Sequence, residues 1–144
     1  RREILEDIAM ISLSTIQYAA EGEDKIELLT KGRFAEKDGK YYIIYEESEV
    51  TGFEGTTTTI KVSEDKLTLT RRGRFNSRME FIRGEKRLCN YPTPYGAIPV
   101  AVDPISLETN LSGDGGSVDI IYMLDLSNQL YAKNEHELRV ELLQ

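Results

Sequence analysis

The sequence predicts an all-β chain folded as a single antiparallel up-and-down β-barrel of about 8 to 10 strands. Three observations lead there. Apolar and polar residues alternate with period two, turn residues recur at short intervals, and the segments between them read as short strands joined mostly as consecutive hairpins.

Taken in chain order, the first segment is ambiguous. Ile4, Leu5, Ile8 and Ile11 have helical spacing, so residues 1–7 are expected to form a short helical or flexible extension before, or in place of, the start of the first strand. Asp38-Gly39 then marks a tight hairpin, because a two-residue turn needs the positive φ angles that these residues tolerate. In "EESEVTGFEGTTTTIKV", Gly52 and Gly55 bracket Phe53 and Glu54, which predicts a turn, and Thr56 to Val62 have the β propensity of an outgoing strand. With Ile60 and Val62 facing the core, Thr56 and Thr58 share their face, and Thr57, Thr59 and Lys61 point out.

Leu67 and Leu69, Met79 and Phe81, and Leu107 and Leu111 continue the alternation, with turn signals at Glu64-Asp65, Gly84-Glu85 and Gly113 to Gly116. All four prolines fall between Pro92 and Pro104. Proline cannot donate to a ladder, so that segment is expected to be an edge, a bulge or a crossing loop. In "SVDIIYMLDLS" the residues Val118, Ile120, Tyr122, Leu124 and Leu126 share one face, opposite Asp119 and Asp125. Leu138, Val140 and Leu142 alternate with charged residues in the same way. Asn134 and Glu137 also fit a helix-capping pattern, but the alternation is cleaner and predicts a strand. A barrel is preferred to a sandwich because closure removes the edges that so many β-branched and aromatic residues would expose.

A length of 144 residues points to one domain, 1–144, and the 40% hydrophobic and 30% charged fractions are those of a globular chain. No apolar run approaches the roughly 18 to 20 residues of a spanning helix. The acidic residues after Arg1 and Arg2 do not suit a signal peptide, and Cys89 is the single cysteine, so a reducing, cytoplasmic location is expected. The net charge of −7 argues against nucleic acid and anionic membranes as partners. Arg71 to Arg87 is the exception, with seven basic residues against two acidic.

Three stretches in this order, "KYYIIYEESEVTGFEGTTTTIKV", "RRGRFNSRMEF" and "YPTPYG", resemble the uncharacterised bacterial YwiB-like family, with similarity running from Ile8 to Leu142. The resemblance implies a lipocalin-like (calycin-like) β-barrel. It implies no activity, so no catalytic residue and no cofactor is carried over; ligand binding is suggested by fold analogy alone.

The residues themselves exclude several chemistries. One histidine, His136, and one cysteine, Cys89, at no close spacing do not form a zinc site, and the Asp114 to Asp119 stretch lacks the ligand pattern of a Ca²⁺ loop. Cys89 in "RLCNY" reads as a small buried strand residue rather than a nucleophile, and no phosphate-binding loop is present. What remains is a candidate site for a small polar or anionic ligand at a barrel mouth: Glu46 and Glu49, Thr56 and Thr58, Arg71, Arg74 and Arg78, and Tyr91 and Tyr95, which flank two prolines. Arg71 shares parity with Leu67 and Leu69, which points it inward, where a glutamate from the Glu46 to Glu54 region would pair with it. The alternative is a protein-interaction module, with a protein partner or as a homodimer. The large inward residues favour a filled core, which would confine any ligand to a shallow mouth. A third reading makes Glu46 or Glu49 a catalytic base.

Overall fold

A computed structural model describes residues 6–19, 21–93, 95–126 and 130–143. Ten strands follow one another: β1 (Asp7–Ala19), β2 (Gly22–Lys37), β3 (Lys40–Glu46), β4 (Thr56–Val62), β5 (Lys66–Gly73), β6 (Ser77–Ile82), β7 (Arg87–Thr93), β8 (Gly96–Ser112), β9 (Gly115–Leu126) and β10 (Leu130–Leu142). They make one antiparallel sheet in the order β6-β5-β4-β3-β2-β1-β10-β9-β8-β7. Apart from the pairing of β1 with β10, every ladder joins strands adjacent in sequence. The two end strands, β6 and β7, lie side by side, with a single bridge at the turn between them, Ile82 to Glu85. The sheet is therefore a nearly closed up-and-down barrel with one seam.

The turn chemistry sets the register. Asp38 and Gly39 both take positive φ, 53° and 78°, and close the β2–β3 hairpin with Lys37 opposite Lys40. Ser112 opposite Gly115 does the same between β8 and β9. Alternation then decides what is inside. Along β4 every second residue is buried, Thr56, Thr58, Ile60 and Val62, as the threonine run predicts. The core continues around the barrel through Ile11, Phe34, Ile43, Met79, Val102 and Leu124.

Two expectations are corrected. Ile8 and Ile11 are not helical: both lie in β1, which is paired on one side with β2 and on the other with β10. A helix of two turns is marginal in water, whereas a central strand has its backbone groups satisfied from both sides. Ile4 and Leu5 lie outside the described residues. The strands are also not all short, since β1, β2, β8, β9 and β10 run to 12–17 residues. Pro94 lies outside the described residues, and the other three prolines sit where the ladder tolerates them. Pro92 is in β7 at the seam, Pro99 and Pro104 are in β8, and the register shifts between Pro104 and Ser106 as a bulge.

Candidate functional site

The polar interior is built by strand parity. On β3, Ile43 and Tyr45 are buried and Glu46 is exposed. The Glu47 N–H still donates to the Thr56 carbonyl (2.9 Å), so the alternation continues for one residue past the strand and turns the Glu47 side chain inward. On β5, Leu67, Leu69 and Arg71 share the inward face, and Arg71 lies opposite Thr58, which lies opposite Tyr45. Glu47, Thr58 and Arg71 therefore meet. The Thr58 hydroxyl donates to Glu47 Oε2 at 2.5 Å, and the same oxygen lies 3.8 Å from Arg71 Nε. The Tyr45 hydroxyl faces the same carboxylate. Burial, then the Glu47 charge, raises the phenol pKa.

The ion pair is deeply placed. Side-chain exposure is 2% for Glu47 and 11% for Arg71. The loop between β3 and β4 closes over it, and Phe53 packs its ring on the guanidinium with Cζ 4.2 Å from the centroid. Phe75 meets Phe53 edge-on at 5.3 Å. At 3.8 Å the carboxylate and Nε are too far apart for a hydrogen bond. Glu47 Oε1, Arg71 Nε and Arg71 Nη1 are buried and have no hydrogen-bond partner among the described residues.

The residues that carry these atoms, Glu47 and Arg71, line a cavity of about 410 Å³ inside the barrel. One wall is apolar, with Leu67, Leu69, Met79, Phe81, Ile120 and Leu138. Beside Ile120 and Leu138 the lining turns polar, with Thr15, Asn134 and His136, and His136 lies directly across from Ile120. His136 Nε2 is 2.9 Å from the Tyr122 hydroxyl and Nδ1 is 3.1 Å from the Thr15 hydroxyl. Burial, followed by repulsion from Arg71, lowers the imidazole pKa to about 4, so the ring is neutral near pH 7. Burial likewise raises the Tyr122 pKa. The buried part of the site thus offers one guanidinium, one carboxylate and several neutral hydrogen-bonding groups beside an apolar wall.

Of the residues singled out from the sequence, Arg71 and Tyr91 line the cavity, and Thr58 holds Glu47 in place. Thr56 is buried, but its hydroxyl accepts from the Phe75 N–H (3.2 Å), which pins the turn after β5. The others do not join them. Glu46 is exposed and accepts from Thr57 on the outer face (2.7 Å), and Glu49 is exposed in the loop. Arg74 follows Gly73, where β5 ends, and lies outside over Phe75. Arg78 alternates with the inward Met79 and pairs with Glu80 (3.5 Å) on the outer surface. Tyr95 is 99% exposed. A cluster of Arg71, Arg74 and Arg78 around one anion therefore does not form, because the two later arginines fall on outward positions. Nor is the interior filled: Leu67, Met79, Phe81, Ile120 and Tyr122 all point inward, and a cavity remains between them.

The expected glutamate partner of Arg71 from the Glu46 to Glu54 region is Glu47; His136 and Asn134 were passed over as lining residues. His136 and Asn134 had a signal, since both share parity with Leu138 and Val140. Glu47 had only its place among three glutamates. Cys89 is buried as expected, with its Sγ 3.8 Å from the Glu80 carbonyl, and His136 is engaged by Thr15 and Tyr122 instead.

The fold and this interior define an antiparallel β-barrel with a partly polar cavity. Residues 11–138 match the model of a domain of unknown function, DUF1934, and the chain belongs to that family. It is 24% identical over 107 residues to the "Uncharacterized beta-barrel protein YwiB" of Bacillus subtilis (strain 168), a match covering 74% of each chain. The crystal structure of the ywiB protein from Bacillus subtilis superposes with a TM-score of 0.86 at 19% identity, over 98% of this chain and 96% of the other. At that identity the match establishes the shared fold.

Proposed function

We propose that this protein is a cytoplasmic binding barrel that holds one small molecule with a polar or anionic head group inside the barrel, and that it acts by binding rather than catalysis. The observation that carries this reading is Arg71, a cavity-lining residue whose Nε and Nη1 are buried and have no hydrogen-bond partner among the described residues. A buried polar group without a partner costs about 1–3 kcal/mol, and more when it is charged. A ligand acceptor placed there removes that cost and gains charge-assisted bonds of about 1.5–3 kcal/mol each. The apolar wall supplies the rest of the affinity, and 410 Å³ lies within the range of small-molecule sites.

The test is native mass spectrometry of freshly purified protein against its denatured mass, followed by a thermal-shift screen of anionic and polar metabolites. A retained mass, or a saturating shift with one compound class, is expected. An apo protein that no compound shifts would overturn the reading. A second reading, a protein-interaction module, is favoured by the apolar residues that β7 and β8 expose, Leu88 at 78%, Ile98 at 41% and Ile105 at 59%.

A further inference from the structure

Arg71 does not present a free positive charge to the cavity. Glu47 lies 3.8 Å from it and faces the same space, so the local charge is balanced before any ligand arrives. The remaining charged residues at the cavity, Asp24 and Lys25, are one of each sign and exposed, and His136 is neutral near pH 7. An anion entering here would gain the guanidinium and meet the buried carboxylate at the same time. The lining groups without hydrogen-bond partners among the described residues are of two kinds: donors at Arg71 Nε and Nη1, and an acceptor at Glu47 Oε1. A carboxylate ligand has nothing to donate to Oε1, and neither has a fully ionised phosphate.

Resting on the reading of the cavity as a ligand site, we propose that its head group is uncharged and carries a hydrogen-bond acceptor beside an N–H donor, as an amide, lactam or cyclic imide does. The acceptor takes the Arg71 N–H groups and the donor is taken by Glu47 Oε1. Thr58 fixes the carboxylate through Oε2 and the Tyr45 hydroxyl faces it, while Oε1 has no hydrogen-bond partner among the described residues, and Phe53 fixes the plane of the guanidinium. An apolar or aromatic body then lies against Leu67, Met79, Phe81 and Ile120. Specificity follows from the pairing rule: a site built to hydrogen-bond a donor rejects an analogue lacking it far more strongly than it rejects a change in apolar bulk.

Three probes of nearly equal shape separate the possibilities: naphthamide, its N,N-dimethyl derivative and naphthoate, titrated into the wild type by calorimetry and followed by amide NMR shifts. Naphthamide is expected to bind at least tenfold more tightly than either of the others, moving signals of Glu47, Thr58 and Arg71. Glu47→Gln should weaken naphthamide about tenfold or more and should not weaken naphthoate. If naphthoate binds more tightly than naphthamide, and more tightly still in Glu47→Gln, the neutral head group is overturned and the anion-binding form of the parent reading stands. Equal binding of naphthamide and its dimethyl derivative removes the donor from the proposal and overturns it. If none of the three binds at millimolar concentration, the head group is overturned, and the retained-mass experiment decides separately whether the cavity holds any ligand. The comparison among probes uses the wild type alone, so it survives a variant that fails to fold.

Discussion

Glu47 and Arg71 face each other inside the barrel at 3.8 Å, close enough to balance in charge and too far apart to share a hydrogen bond. Thr58 holds the carboxylate from one side, and the Phe53 ring covers the guanidinium from the other. Removing one partner of such a buried pair strands the other. Arg71→Met is expected to destabilise the fold by about 3–5 kcal/mol, while Arg71→Met with Glu47→Gln should stay within about 1–2 kcal/mol of wild type. Urea denaturation of the three proteins measures the difference, and equal destabilisation by the single and double variants would show that the pair is not coupled.

Thr58 and Thr57 give a paired comparison of one chemistry in two environments. Thr58 donates to Glu47 in the interior, and Thr57 donates to Glu46 on the surface. Thr58→Val should cost about 1–3 kcal/mol because a buried carboxylate oxygen loses its donor, whereas Thr57→Val should change stability by less than about 0.5 kcal/mol, since water replaces the hydroxyl.

His136 makes stability depend on pH. Its pKa falls from 6.5 to about 4 in the folded protein, so the unfolded chain takes up the proton first as the pH drops. The stabilisation tied to the neutral ring is complete above pH 6.5 and is lost progressively down to about pH 4, amounting to about 3 kcal/mol over that window. The urea midpoint should therefore fall more steeply between pH 6.5 and about pH 4.5 in the wild type than in His136→Gln. The protein has a single histidine, so its ring signals in NMR are unambiguous and should show no titration near pH 6.5.

The seam gives a dynamic prediction. Glu80 on β6 pairs with Lys66 on β5 (2.5 Å) and, across the seam, with Arg87 on β7 (3.5 Å). The hydrogen bond from Lys66 keeps its carboxyl below the usual range. These groups are partly exposed, so Glu80→Ala should cost no more than about 1 kcal/mol. Amide exchange in β6 and β7 should nonetheless accelerate relative to β1 and β10, which are paired on both sides. Unchanged exchange at the seam would mean that the pairs do not hold it.

Gly32 tests the packing around β1. A Cβ there would collide with Ile11 Cδ1 and the Ile44 carbonyl, which lie on either side of β2. Gly32→Ala should destabilise by about 1–3 kcal/mol, read as a lower melting temperature.

What could be read from the sequence follows the reach of strand parity. Arg71 was legible because β5 runs unbroken from Leu67 through Leu69, and Thr56 and Thr58 because the same face continues to Ile60 and Val62. Parity does not cross a turn. It restarts after Gly73, which is why Arg74 and Arg78 could not be placed from Arg71, and the end of the β3–β4 ladder decided that Glu47 rather than Glu46 or Glu49 turns inward. His136 stood on a readable face, but its partner Thr15 is 121 residues away and meets it only because β1 and β10 pair. The cavity depends on strand number, length and tilt together, so a list of large inward residues suggested a filled interior where one remains open.

The most direct measurement compares freshly purified wild type with the Arg71→Met, Glu47→Gln double variant by native mass spectrometry and by thermal shift with the best compounds of the screen. A bound mass or saturating shift in the wild type, absent from an equally folded double variant, is the expected result. The same mass or shift in both proteins would place the ligand elsewhere and contradict a site at Arg71, and its absence from both would contradict a binding barrel.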